Sequence, residues 1–387
     1  MKILSVVGAR PNFVKIAPIL RAVACANHRG RAGAEPLESV LVHTEQHYDD
    51  AMSAAFFTDL QIRRPDRTLG VGSGSHAMQT AEIMRRFEPV VVEEHPDVVL
   101  VVGDVNSTAA CALTAAKLGV RVAHVEAGLR SFDRSMPEEI NRIVTDALAD
   151  FLFTTEESAN ANLQREGYPA EKVFFVGNVM IDSLLSCRRL AERSTILERL
   201  GLTVQCNGSD YALVTLHRPS NVDASEKLEA ILGALAQLAW EIPVVLPVHP
   251  RTRARIDEFG LTRYVDLIPL DGGPVIIHPG RISVLEPVGY LDFLRLMSSA
   301  RLVLTDSGGI QDETTCLSVA CLTLRDNTER PVTLAAGTST LVGSDPDRIL
   351  ACAHTALENG QRPTTLPPLW DGHAAERIVR VLVERLA

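Results

Sequence analysis

The chain has 387 residues, room for two to three domains of roughly 150 residues and a sizeable core, so a small disulfide-stapled scaffold is excluded. Apolar residues make up 46% and charged residues 22%, near the averages of soluble globular chains, which excludes a disordered tail and a fibrous repeat. The 38 Lys plus Arg stand against 48 Asp plus Glu, giving −10 with no basic block, so nucleic acid is not an expected partner; a local cationic pocket for a small anion stays open.

The first apolar run, Ile3 to Val7, reads as a strand and is far too short for a signal peptide or a membrane helix. No membrane is expected, and the protein reads as cytoplasmic. This strand ends in Gly8-Ala9-Arg10-Pro11 and leads into a helix carrying Lys15, two cations that suit an anionic ligand. The bland alternative makes Arg10 a loop cap and Lys15 a solvated helix charge. Neither GxGxxG nor a Walker A sequence follows the strand, and Gly-Lys occurs nowhere in the chain, which removes the main support for dinucleotide and P-loop readings.

Further strands are expected at Ser39 to His43, Asp97 to Val102, Val120 to Val125, Phe151 to Thr154 and Val173 to Val176. They alternate with helix-period segments, the signature of βαβ units and a parallel sheet covered on both faces. Gly103-Asp104 follows the most apolar strand, and with Asn106 or Ser107 able to cap the next helix, Asp104 is left for chemistry. His124-Val125-Glu126 puts a second carboxylate at a strand end. Pro137-Glu138-Glu139 then opens a helix, with Arg142 as an i, i+4 partner for Glu138 and a core-facing stripe of Ile140, Ile143, Val144, Ala147 and Leu148. Asp104, Glu126 and Glu138 thus converge on one sheet edge, as general acid and base chemistry requires. A metal site competes, but no His-x-x-x-His spacing accompanies them, and none is expected.

After weaker signals from Cys187 to Asp210, a second strand series follows: Tyr211 to Leu216, Val244 to Val248, Arg281 to Leu285, Arg301 to Thr305 and Ala320 to Leu324. Two of these strands end in His217-Arg218-Pro219 and His249-Pro250-Arg251, corners that suit an anion. The sharpest signal is Asp306-Ser307-Gly308-Gly309-Ile310-Gln311-Asp312-Glu313. A strand, a small-residue turn and a helix start offer backbone N–H groups to a phosphate, with Glu313 one turn on to accept from ribose hydroxyls. Arg325 to Pro331 reads as a polar loop over a base or sugar. A last helix runs from about Ala374 to Leu386, with Ile378, Val381, Leu382 and Leu386 inward. Seven cysteines form no Cys-x-x-Cys pair and read as buried free thiols of a reducing compartment.

Together these motifs suggest a nucleoside-diphosphate ligand. With Pro18, Leu129-Arg130, Asn141, Gly177-Asn178 and Thr328-Glu329-Arg330-Pro331, in this order and spacing, the chain resembles the non-hydrolysing UDP-N-acetylglucosamine 2-epimerases from residue 3 to its last helix. The resemblance implies an α/β fold of glycosyltransferase-B type, two Rossmann-like domains with the active site in the cleft between them. The N-terminal domain would take residues 1–178 plus 368–387 and carry the catalytic carboxylates; residues 179–367 would form the UDP-binding domain. The resemblance assigns Asp104, Glu126 and Glu138, with His217, to catalysis. It assigns substrate binding to Arg10, Lys15, Arg142, His249, Ser307, Gly308, Gly309, Glu313 and Arg325. It also implies a homodimer, no cofactor and a role in supplying cell-surface polysaccharide precursors.

The route follows from the substrate. C2 of a sugar nucleotide is not next to a carbonyl, so its inversion needs transient oxidation or elimination of the diphosphate, and no nicotinamide fingerprint is present. Elimination to a 2-acetamidoglucal and re-addition of UDP is the consistent route, with cations and helix N-termini on the leaving diphosphate. A hydrolysing 2-epimerase, an epimerase for a related UDP-sugar, a glycosyltransferase and a non-catalytic UDP-sugar sensor are the rivals. Two departures bear on allosteric activation by substrate: Tyr48 after His47, and Pro219-Ser220-Asn221-Val222-Asp223 after the His217 corner. The stretch Asp271 to Ile282 reads as a loop insertion.

Overall fold

The computed structural model describes residues 1–29, 36–45, 57–202, 204–205, 208–209, 211–270, 275–335, 338–359 and 365–386. It divides into two compact units, residues 1–186 with 368–387, and residues 187–367.

The first unit is a seven-stranded parallel sheet in the order β3-β2-β1-β4-β5-β6-β7, formed by β1 Lys2–Val7, β2 Glu38–His43, β3 Arg67–Thr68, β4 Val98–Val102, β5 Arg121–Val125, β6 Phe151–Thr154 and β7 Val173–Phe175. Every residue of β4 is buried, as a central strand covered on both faces demands, and its Val-Val-Leu-Val-Val sequence suits that place. Helices α1 Arg10–Arg29, α2 His76–Glu94, α3 Asn106–Lys117, α4 Pro137–Leu148, α5 Glu157–Arg165 and α6 Val179–Ala191 connect the strands or follow the last of them. The boundary between the units falls inside α6 at residue 186, not before it at 178, because the first half of that helix packs into the first unit. Asp182, on that half, accepts from the N–H groups of Ala374 (3.2 Å) and Ala375 (2.8 Å). It thereby caps the returning C-terminal helix. At Gly177, where φ is +89°, any Cβ would meet the Leu369 carbonyl oxygen at 2.1 Å, so only glycine admits the returning segment.

The second unit repeats the plan with the order β12-β13-β11-β10-β14-β15-β16. Its strands are β10 Ala212–Thr215, β11 Val244–Pro247, β12 Val265–Leu267, β13 Ile282–Leu285, β14 Leu302–Thr305, β15 Ala320–Thr323 and β16 Ser339–Leu341; a small antiparallel pair, β8 Val204–Gln205 and β9 Gly208–Ser209, precedes them. The helices are α7 Ile196–Arg199, α8 Pro219–Val222, α9 Ser225–Leu238, α10 Pro250–Glu258, α11 Tyr290–Ser299, α12 Gly308–Leu317, α13 Pro331–Ala335 and α14 Pro346–Asn359, with α15 Ala374–Leu386 belonging to the first unit.

In each sheet the strand order reverses once beside the first strand, between β1 and β4 and between β10 and β14. Ligands of open α/β sheets bind at the carboxyl ends of such strands. Among the described residues no helix is long and apolar enough to cross a membrane. The cysteines meet the expectation in part: Cys111, Cys187 and Cys321 are free and buried, but Cys316 and Cys352 are only partly covered and Cys25 is exposed, while Cys206 lies outside the described residues.

Candidate active site

At the first unit's switch point, Asn12 organises the turn after β1. Its Oδ1 accepts from the N–H groups of Gly8 and Ala9, both at 3.0 Å, and its Nδ2 donates to Val102 O at the end of β4. One helical turn along α1, Lys15 is buried with its ammonium against the Glu126 carboxylate. Lys15 is therefore already neutralised by a protein carboxylate, which corrects its reading as a cation waiting for an anion. Gly103 closes this corner: φ is +70°, and a Cβ there would lie 2.7 Å from Lys15 Nζ. Glu126 itself has φ +77°, a left-handed conformation that costs a non-glycine residue on the order of 1–3 kcal/mol and gathers at functional sites. Its backbone N–H donates to Phe153 O on the next strand.

Asp104 is held from α4. Arg142 Nη1 lies 2.6 Å from its Oδ2, and Asn141 Nδ2 donates to its carbonyl. The expected Arg142–Glu138 pair does not form; Arg142 turns to Glu139, Nη2 to Oε2 at 2.9 Å. Glu139 also accepts from Ser131 N–H, Ser131 Oγ and Phe132 N–H. Glu138 is half-buried and has no ion pair or hydrogen bond among the described residues.

This reverses the expected face of α4. Glu139, Arg142, Thr145 and Asp146 are inside, while Ile140 is 46% and Val144 38% exposed. The buried stripe is polar because it serves the carboxylate edge and a deeper network around Asp146. The capping expectation also fails: the N-cap of α3 is Val105, with no side-chain bond, and Asn106 instead joins Gln79 and Asn141.

In the second unit Asp306, fully buried at the end of β14, ties the switch point together. It accepts from the N–H groups of His217 (3.0 Å) and Arg218 (2.9 Å), from Asn221 Nδ2 (3.2 Å) and from His217 Nδ1 (2.8 Å). Burial pushes its carboxyl up, but the His217 ring and these N–H groups outweigh that and hold it below the usual range. With Nδ1 so engaged, Nε2 is the ring nitrogen left for a ligand, and the half-exposed ring lies 5.9 Å from that of His249. His249 caps α10, its Nδ1 accepting from Arg251 N–H.

Ser307 is the N-cap of α12 but makes no side-chain capping bond; the Glu329 carboxylate stands beside Gly308, and the first-turn N–H groups of Gly308 and Gly309 suit an anion. Beside it Arg325 is buried, Nη2 on Glu329 at 2.7 Å and Nη1 without a hydrogen-bond partner among the described residues. A buried unpaired guanidinium N–H costs about 1–3 kcal/mol, so this group suits a ligand oxygen. Glu313 lies inside the same helix, accepting from Tyr290 Oη at 3.0 Å. Burial pushes its carboxyl up to about 7, against the opposing Tyr290 hydrogen bond.

Thus the structure brings Lys15, Asp104, Glu126 and Arg142 to one switch point of the first unit, with Glu138 at the start of α4, and His217, His249, Ser307, Gly308, Gly309, Glu313 and Arg325 to the second unit's strand ends. Arg10 opens α1, but its side chain lies outside the described ones, as do His47, Tyr48 and residues 271–274 of the expected insertion. Asn12, Glu139, Asp146, Asn221 and Tyr290 went unassigned; only the polar stripe of residues 139, 142, 145 and 146, at helical spacing, signalled any of them. Among the described residues no three or more His, Cys, Asp or Glu side chains are grouped to hold a metal ion.

The sequence model of the family "UDP-N-acetylglucosamine 2-epimerase" matches residues 31–383. The UDP-N-acetylglucosamine 2-epimerase of Methanocaldococcus jannaschii is 40% identical over 384 residues, 99% of each chain. The UDP-2,3-diacetamido-2,3-dideoxy-D-glucuronate 2-epimerase of Pseudomonas aeruginosa is 41% identical over 360 residues, 92% of each. Among solved structures, the M. jannaschii UDP-GlcNAc 2-epimerase in complex with UDP-GlcNAc and UDP matches with TM-score 0.86 at 40% identity, covering 99% of this chain and 100% of that one. The Neisseria meningitidis enzyme bound to UDP-GlcNAc matches at TM-score 0.84 and 30% identity, covering 100% of both. Both units accordingly have the Rossmann-like form of the glycosyltransferase-B class.

Proposed function

The chain belongs to the UDP-N-acetylglucosamine 2-epimerase family, and from that premise we propose that it interconverts UDP-N-acetylglucosamine and UDP-N-acetylmannosamine without net hydrolysis, by elimination and re-addition of UDP. A carboxylate takes the C2 proton, the C–H pair becomes the C1=C2 bond of a 2-acetamidoglucal, and the C1–O bond breaks with its electrons leaving on UDP. Re-addition of UDP at C1 with protonation of C2 on the opposite face gives the epimer. The second unit binds UDP: the α12 N-terminus and Arg325 take the diphosphate, His217 Nε2 steadies it as it leaves, and Glu313 accepts from the ribose.

One observation carries the chemical assignment. Asp104 faces Arg142 and Glu126 faces Lys15, whereas Glu138 has no cation among the described residues. Inverting C2 needs an ionised acceptor on one face and a protonated donor on the other. Asp104 and Glu126, each held by a cation, are assigned to one face of C2 and Glu138, which has none among the described residues, to the other, the roles exchanging in the reverse direction.

Proton NMR of the enzyme with UDP-N-acetylglucosamine in D2O tests this. UDP-N-acetylmannosamine with deuterium at C2 of both epimers is expected; free N-acetylmannosamine plus UDP would identify a hydrolysing enzyme instead, and no exchange would overturn the assignment. Asp104→Asn should abolish turnover with UDP binding nearly intact. The 41% identity to the P. aeruginosa enzyme favours a second reading, the same chemistry on a diacetamido uronic-acid nucleotide. C2 exchange in that nucleotide alone would select it.

A further inference from the structure

Beneath the carboxylate edge runs a buried chain of charges that the proposed chemistry does not use. Glu166, partly exposed, holds Arg130 in a bidentate pair, Nε to Oε1 at 2.8 Å and Nη2 to Oε2 at 2.7 Å. Arg130 Nη1 meets Asp146 Oδ2 at 2.7 Å, and Gly128 N–H donates to the same oxygen at 3.0 Å. Asp146 Oδ1 faces His124 Nδ1 at 2.6 Å, and His124 Nε2 faces the Gly103 carbonyl at 2.8 Å. His124 and Asp146 are wholly buried.

Both ring nitrogens of His124 face acceptors, a carboxylate and a carbonyl. The ring satisfies both only when each nitrogen carries its proton, as an imidazolium. Burial opposes ionised Asp146, yet His124 and Arg130 hold its carboxyl below the ordinary range. A buried ionic array of this kind is a poor way to gain stability, since well-packed apolar side chains of similar volume do as well or better. What the array does provide is direction. Gly103 is fixed from two sides, its N–H donating to Val125 O at 3.0 Å and its carbonyl receiving His124. Gly103 precedes Asp104 and packs on the Lys15–Glu126 pair, and Glu126 is two residues beyond His124 in a strained conformation.

We infer that His124 and Asp146 are a positioning pair, an imidazolium–carboxylate clamp that fixes the Gly103 carbonyl and so sets Asp104 and Glu126 for proton transfer at C2. The consequence for catalysis rests on the function proposed above; the clamp itself does not. The charged groups around it are Arg130 and Glu166 on the far side and Lys15 and Glu126 beyond Gly103. Misplacing a reacting group by about 1 Å costs on the order of 100-fold in rate, so loss of the clamp should appear in kcat.

Two measurements on the full-length protein test the pair. The first is two-bond proton–nitrogen NMR of 15N-histidine-labelled protein. His124 should show both ring nitrogens protonated, and Asp146→Asn should abolish that signature; a singly protonated ring in the unaltered protein overturns the inference whatever the enzyme acts on. The second compares His124→Gln with His124→Asn. The longer glutamine amide can put an N–H where Nε2 stands, so it should retain at least tenfold more kcat than the asparagine variant, with KM and UDP affinity within about twofold of the parent in both. Equal kcat in the two variants, or losses that follow Tm, would overturn the role. If the unaltered protein shows the doubly protonated ring yet no C2 exchange, the epimerase reading fails and the clamp stands.

Discussion

Arg142 Nη1 lies 2.6 Å from Asp104 Oδ2 and belongs to a guanidinium that is itself held by the buried Glu139, Nη2 to Oε2 at 2.9 Å. The carboxylate proposed above as catalytic is thus fixed by a cation whose direction is set by a second carboxylate. Removing one member of a buried ion pair leaves the other uncompensated, at a cost of about 3–5 kcal/mol.

Glu139→Gln should therefore act on both stability and rate. Glu139 accepts from Ser131, Phe132 and Arg142 together, and a neutral amide offers one acceptor oxygen in place of two. The expected outcome is a lower denaturant midpoint and a kcat reduced about 10- to 100-fold, with UDP affinity unchanged because none of the groups proposed to hold UDP is touched. Urea titration, kinetics and UDP calorimetry on one preparation check it. A variant with full kcat would show that Arg142 does not depend on Glu139 for its aim.

Gly308→Ala should separate binding from chemistry in the opposite sense. A Cβ at Gly308 would stand 2.3 Å from Glu329 Oε1, so Glu329 must move, and with it Arg325, whose Nη2 is on that carboxylate at 2.7 Å. The methyl group also crowds the first-turn N–H groups proposed to hold the diphosphate. UDP should bind at least about tenfold more weakly, a loss of ~1.4 kcal/mol, while kcat at saturating substrate changes little. Calorimetric titration with UDP decides it; unaltered affinity would remove the α12 N-terminus from the diphosphate site.

The eleven strands expected from the sequence are present, most with ends displaced by a residue, because continuous β-branched runs such as Val98–Val102 can be satisfied only inside a doubly covered sheet. The edge strands Arg67–Thr68, Val265–Leu267 and Ser339–Leu341 escaped, being two or three residues long and not wholly apolar. The strand-end positions of Asp104, Glu126 and His217 were legible because each stands where an apolar run stops, the edge at which open α/β sheets bind ligands. The face of α4 was not legible. Periodicity finds two opposed stripes on that helix, and the inference that the apolar one is inside fails when the polar one consists of mutually compensating charges. Asp146, Tyr290 and Asn12 were invisible for a related reason: each acts on a partner far along the chain, as Asn12 does on Val102 and Asp146 on His124.

Glu313 makes the protein's response to pH specific. Its carboxyl, buried beside Tyr290 Oη, is pushed from its ordinary 4.5 up to about 7, burial outweighing the hydrogen bond. Between those two values the folded chain binds a proton that the unfolded chain has released, so this group's effect is a stability that falls as pH rises from about 4.5 and levels off above about 7. The full cost is on the order of 3 kcal/mol. Glu313→Gln removes it and should flatten that part of the stability profile, leaving the variant relatively more stable at pH 8 than at pH 5. UDP binding should show the converse. With Glu313 as the proposed ribose acceptor, the hydroxyls donate to the ionised carboxylate, so binding should release a proton and tighten as pH rises towards 8, by up to about tenfold per unit below the folded value. Titrations of UDP in two buffers of different ionisation enthalpy count that proton, and the count should fall in Glu313→Gln, where only UDP's own titration remains. An identical pH slope in parent and variant would place the ribose elsewhere.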